Sequence, residues 1–271
     1  MDGSGAAEAD ATAAPGSGNA TDGGSGEDAS PETDAGSTMD AGSGSDAGEA
    51  KDAGSPPGSS GCTGVVATFC DDFDKTLGNW TTDTFNATIR QSSTRPLSAP
   101  NVLQVVTRPS GTEGVTARLG RTQSGKHKVV TAEVDLRLDD LVPSKAFYPL
   151  RLTFTNDNGK SVSLTVNVGD GSGATNARST VVERSDTSSE EYQFPAVYAV
   201  GEWMHVELTA DMTAKRFVLK LDGVEKVNRA FSASEWQSEM SVSMTLGWNS
   251  LHSPPFQAMS VSFDDFVLRT Q

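Results

Sequence analysis

The chain has 271 residues and a formal net charge of −15. Residues 1–61 hold 12 acids, one base (Lys51) and not one Val, Ile, Leu, Phe, Trp or Tyr, so the folding unit is confined to residues 62–271. An acidic chain without a basic stripe argues against nucleic acid or anionic membrane as partner, and no apolar run approaches the ~20 residues of a membrane-spanning helix.

Ordering a residue costs ~1–2 kcal/mol, and residues 1–61 have nothing apolar to bury in return, so they are expected to form a disordered stalk. Asp22, Asp28, Asp34, Asp40, Asp46 and Asp52 recur every six residues, and the last four open Asp-Ala-Gly. A β-helix with that period needs an aliphatic residue in every rung, and there is none, so the repeat reads as a linker. A coil of this kind spans roughly 40 Å, the reach of a tether.

Cys62 and Cys70 open the folding unit. Two cysteines lack the further ligands of a structural zinc site, and their spacing is not a redox motif, so a disulfide closing a short loop is expected. Such a bond persists in oxidising compartments. Asp-Gly-Ser-Gly after Met1 offers no basic or apolar leader. The expectation is an exported protein, at the cell surface, anchored to an outer membrane or secreted, whose signal lies upstream.

The folding unit has period-two alternation. Val130, Ala132, Val134, Leu136 and Leu138 alternate with Thr131, Glu133, Asp135 and Arg137; Leu150, Leu152 and Phe154 alternate with Arg151 and Thr153. Val162 to Val168, Met204 to Leu208, Phe217 to Leu221 and Val242 to Trp248 repeat the pattern. These are strands with one buried and one solvated face, about twelve in all. Asp222-Gly223 reads as a hairpin turn, and Asp157-Asn158-Gly159 as another turn. Ser232 and Glu235 have the spacing of a capping box, which predicts one short helix carrying Trp236. Met259, Val261 and Phe263 have the opposite parity to Phe266 and Leu268, which predicts a bulge near Asp264-Asp265. Many antiparallel strands at short spacing read as a sandwich or barrel.

Particular runs resemble the concanavalin A-like (laminin G-like) jelly rolls. They are Phe69-Cys70-Asp71-Asp72-Phe73-Asp74 leading to Trp80, Ser98-Ala99-Pro100-Asn101-Val102-Leu103, Trp203-Met204-His205-Val206-Glu207-Leu208 followed by Leu219-Lys220-Leu221-Asp222-Gly223, and Phe263-Asp264-Asp265-Phe266-Val267. The resemblance covers about residues 65–270. It implies an all-β, antiparallel two-sheet sandwich whose first and last strands lie together and whose concave face is where relatives bind glycans. It also implies a structural calcium near that edge, for which Asp72 and Asp264 are the candidate ligands; no other cofactor is expected.

Glycosidases similar in fold set their acids on alternate residues, as Glu-x-Asp-x-Glu or Glu-x-Asp-x-x-Glu. Glu133-Val134-Asp135 begins that pattern, but Arg137 and Leu138 occupy the place of the third acid. No Gly-x-Ser-x-Gly elbow occurs in the folding unit, and its three histidines stand apart from any nucleophile. The chain is therefore expected not to be an enzyme. Sugar binding calls for an aromatic face with a few polar groups. Trp80 and Trp203 belong to the fold-like motifs and are expected in the core, which leaves Tyr148, Tyr192, Tyr198 and Trp248, with His252, as the candidate platform. The reading is a monomeric, non-catalytic module of residues 62–271 binding a polysaccharide or cell-surface glycan on an acidic tether. An adhesion module without a small ligand, or a divergent glycoside hydrolase, is the alternative.

Overall fold

In a computed structural model, the alternating segments become fifteen antiparallel strands in two sheets among the described residues. The structure describes residues 62–108, 115–140, 146–169, 179–195, 199–250 and 258–271, with the backbone alone at 146, 147 and 248–250. The stalk lies outside the described residues.

The first sheet contains β1 (Phe69–Asp71), β3 (Ala87–Ser92), β4 (Val102–Thr107), β6 (Val129–Asp140), β11 (Trp203–Asp211), β12 (Arg216–Leu221), β13 (Val224–Ala230) and β15 (Ser260–Thr270). Their order is β13-β12-β11-β6-β15-β4-β3, with β1 paired to the far half of β15. The second contains β2 (Thr81–Phe85), β5 (Val115–His127), β7 (Ala146–Thr155), β8 (Ser161–Gly169), β9 (Thr180–Ser185), β10 (Ser189–Gln193) and β14 (Met240–Ser250), in the order β10-β9-β8-β7-β14-β5-β2. The apolar phases of both sheets meet in one core: Val130 to Leu138, Leu150 to Phe154, Val162 to Val168 and Val242 to Leu246 are all buried on their inward residues.

The first and last strands pair, as expected, with Cys70 opposite Val267. The register slips between Asp264 and Val267, and Asp265 takes a left-handed φ of 47°, which is the expected bulge. Asp222 and Gly223 both have positive φ, 50° and 74°, the geometry of a hairpin turn that follows the strand twist. Cys62 and Cys70 form the disulfide, with Cα atoms 5.6 Å apart.

Two expectations are corrected. No helix occurs among the described residues, and residues 231–239 form a turn-containing loop. The buried Glu183 carboxylate accepts the Ser232 and Ala233 N–H groups, the Ser232 hydroxyl and the Trp236 indole N–H (2.7 Å), so a tertiary partner has replaced the local cap. Glu235 instead accepts from Thr187 (2.7 Å). Trp236 packs against Phe154 and stacks on Phe231 at 3.7 Å. Trp203 is likewise not in the core: it shares the outward phase of β11, and the Arg137 guanidinium lies 4.8 Å from its ring. No helix of the described residues is long and apolar enough to cross a membrane.

Candidate functional site

Each sheet has an outward polar face, and the two differ in how their charges are satisfied. On the eight-stranded sheet the charges pair among themselves. Buried Arg137 holds Asp139 at 2.6 Å and donates to the carbonyls of Thr94 and Arg95. Asp139 in turn accepts from Ser260 and Ser262. Glu133 pairs with Arg269, Glu207 with Lys220 at 2.9 Å, and Asp135 with His205 Nδ1 at 2.9 Å. The Asp135 contact holds the His205 pKa above its ordinary value against the opposing effect of burial. The residues of the interrupted glycosidase pattern are thus all spent on neighbours.

The seven-stranded sheet presents a different surface. In one row across it stand Thr81, Gly120, Thr245, Arg151, Thr165, Val182 and Glu191. The neighbouring row on one side includes Asp83, Arg118, Gly247, Asn167, Thr180 and Gln193; on the other it includes Thr122, Ser243, Thr153, Ser163, Arg184 and Ser189. β7 bulges between Phe147 and Leu150, so Tyr148 and Pro149 together oppose Asn167. Hydroxyls and amides dominate, and the charge at the centre is basic although the chain is strongly acidic.

Arg151 is the centre of this face. Its Nε donates to Thr165 (2.9 Å), and among the described residues it has no carboxylate partner. Burial, then the like charges of Arg184 and Arg118, pull its pKa below the ordinary arginine value, with Tyr148 acting in the opposite sense. Beside it Asn167 is 8 % exposed; its Nδ2 donates to Thr180 (2.8 Å), while its Oδ1 is buried and has no hydrogen-bond partner among the described residues. Among the described residues a crowded cation has no anion and a buried acceptor no donor. Such unmet groups cost stability unless a ligand meets them.

Of the residues expected from the sequence, Tyr148 belongs to this face: it is half-buried and its charge bears on Arg151. Tyr192 lies on β10 and turns inward, its ring 5.3 Å from Phe217 and its hydroxyl 3.5 Å from Glu183. The Trp248 backbone pairs with Ala117; its side chain, Tyr198 and His252 lie outside the described residues.

The carboxylates of Asp72 and Asp264 are each engaged by neighbouring protein groups. Asp72 caps the Asp74 N–H. Asp264 accepts from the Leu97, Ser98 and Asp265 N–H groups and from the Ser98 hydroxyl. Burial pushes its pKa up to about 7, and no cluster of three metal-binding side chains occurs among the described residues.

Sequence reasoning passed over Arg118, Arg151, Arg184 and Asn167, because an arginine between two leucines reads as a solvated strand face. Their available signal was position: each lies on the outward phase of a strand.

No family model matches the chain, and no curated protein matches it in sequence. Among solved structures it is similar to the endo-β-1,4-glucuronan lyase of Trichoderma reesei, with TM-score 0.57 and 11 % identity over 76 % of this chain and 96 % of that one. It is similar also to Cip1, a cellulose-induced protein, with TM-score 0.54 and 16 % identity over 75 % and 97 %. The likeness is one of fold, a jelly-roll sandwich shared with carbohydrate-active proteins. It corrects the expectation of a non-catalytic module: a polysaccharide lyase is built on this sandwich, so the acid lost at Arg137 and Leu138 removes one hydrolytic arrangement and not catalysis.

Proposed function

We propose that the chain binds an acidic polysaccharide on the outward face of its seven-stranded sheet and cleaves it by β-elimination. The observation that carries this reading is Arg151, a partly buried cation with no carboxylate partner among the described residues, on a sheet face that also carries Arg118 and Arg184. A uronate supplies the missing partner, a carboxylate for the guanidinium. Likeness of fold to a glucuronan lyase is in keeping with it.

In the reaction Arg151 neutralises the sugar carboxylate, which makes the proton on the adjacent carbon easier to remove. A base on the same face takes that proton, and Tyr148 stands on that face close enough to act on Arg151. The freed electron pair forms the carbon–carbon double bond as the glycosidic C–O bond breaks, and the departing oxygen takes up a proton from water. Hydrogen bonds from Arg151 to the carboxylate strengthen as charge builds there.

Residues 1–61 serve as a tether for the domain of residues 62–271, and the chain is exported. The disulfide supports export, because such bonds last where the surroundings are oxidising.

The test is to incubate the full chain with polyuronates and with a neutral glucan, following the ultraviolet absorbance of unsaturated uronate ends. Product is expected from a polyuronate alone, and Arg151→Ala removes it. A folded protein that neither binds nor cleaves any polyuronate would falsify the reading.

A further inference from the structure

The arginines of the polar face form a pattern in the sheet register. From Arg184 on β9 to Arg151 on β7 is two strands across and two residues along. The same step, in the same direction, leads from Arg151 through β14 to Arg118 on β5. One strand and two residues further on β2 stands Phe85, half exposed on the same face. With strands ~4.8 Å apart and a rise of ~3.3 Å per residue, each arginine step is about 12 Å and the last step about 8 Å.

We infer that this diagonal is the track of the polymer, resting on the acidic-polysaccharide reading above. The chain runs from Arg184 through Arg151 and Arg118, and an end sugar lies on Phe85. A step of this length exceeds one pyranose and suits a disaccharide, so the face reads a carboxylate on every second sugar and is indifferent to the sugar between. Around the track the face offers Thr153, Ser163 and Thr245, which hydrogen-bond hydroxyls without regard to charge. The three arginines are unequal. Arg118 already pairs with Asp83, whereas Arg184 has no carboxylate partner among the described residues. Phe85 supplies what the centre lacks, an apolar ring face for the C–H side of a sugar.

The experiment measures binding of acidic oligosaccharides of increasing length to the full chain and to three variants, by calorimetry on a time scale short against cleavage. Wild-type affinity is expected to rise with length. Arg184→Ala weakens long oligomers by about tenfold and Phe85→Ala by about fivefold, while both bind the shortest oligomers as wild type does. Arg151→Ala weakens every length. An alternating uronate–neutral polymer binds as tightly as a polyuronate of equal length. If oligomers bind and Arg151→Ala weakens them, yet Arg184→Ala and Phe85→Ala leave long oligomers unaffected, the diagonal is wrong and the parent reading stands. A marked preference for contiguous uronates overturns the alternate-sugar claim. If no length binds at all, the parent reading itself has failed. Both exposed positions tolerate alanine, so an unchanged melting curve accompanies each valid result.

Discussion

Glu183 decides whether residues 231–239 close the sandwich. It comes from β9 on the inward phase, is 1 % exposed, and accepts the N–H groups of Ser232, Ala233 and Trp236 and the Ser232 hydroxyl. Replacing it with alanine leaves three N–H donors facing a cavity, at about 1–2 kcal/mol each, so roughly 3–6 kcal/mol of stability is lost. For a domain of this size that lowers the melting temperature by roughly 10–15 °C. Glu183→Gln keeps one oxygen as acceptor and turns an amide N–H₂ toward donors, and it costs about 2 kcal/mol. Thermal unfolding followed by circular dichroism gives both numbers. Trp236 fluorescence adds local information, because its indole loses the 2.7 Å bond while its stack on Phe231 remains. A Glu183→Ala protein within about 1 kcal/mol of wild type would mean that the loop is held by its aromatic stack alone.

Three further outcomes are expected. Asp264 has a folded pKa raised by burial to about 7 from 3.8, so its contribution is fully present below 3.8 and is lost as pH rises through about 7. The free energy of unfolding should fall across that window by up to about 4 kcal/mol, and Asp264→Asn should remove that share of the slope; parallel wild-type and variant profiles refute the assignment. Breaking the Cys62–Cys70 bond by reduction or by a double serine variant should cost about 2.5 kcal/mol on the loop-entropy model, read from urea unfolding; no change with reductant counts against it. Gly247 has φ 113°, and a Cβ there would lie 2.1 Å from the Ala117 carbonyl oxygen. Gly247→Ala should therefore cost more than about 3 kcal/mol by forcing β14 away from β5, and a stable variant with unchanged oligosaccharide binding would contradict that register.

The period-two pattern made the fold legible because inward phase is a local property of each strand. Val130, Val134 and Leu138 could not be outward in any pairing without exposing a whole row. The parity change at Asp264–Asp265 announced the bulge on the same ground. The helix at Ser232 was misread because a capping box is a two-residue signal, and here a carboxylate 49 residues distant competes for the same N–H groups and wins. The site was hidden for a related reason. Outward phase tells which residues leave the core but not which of them become neighbours, and Arg118 and Arg151 are brought to one face by β14, a strand from near the end of the chain. Composition also worked against it: the net charge of −15 argued against nucleic acid or an anionic membrane, yet most of that charge lies in residues 1–61, and acids of the other sheet are held in ion pairs. A protein can be acidic in sum and basic where it binds, because a ligand responds to the potential at the face it touches, within a screening length of about 8–10 Å, and not to the charge of the whole chain.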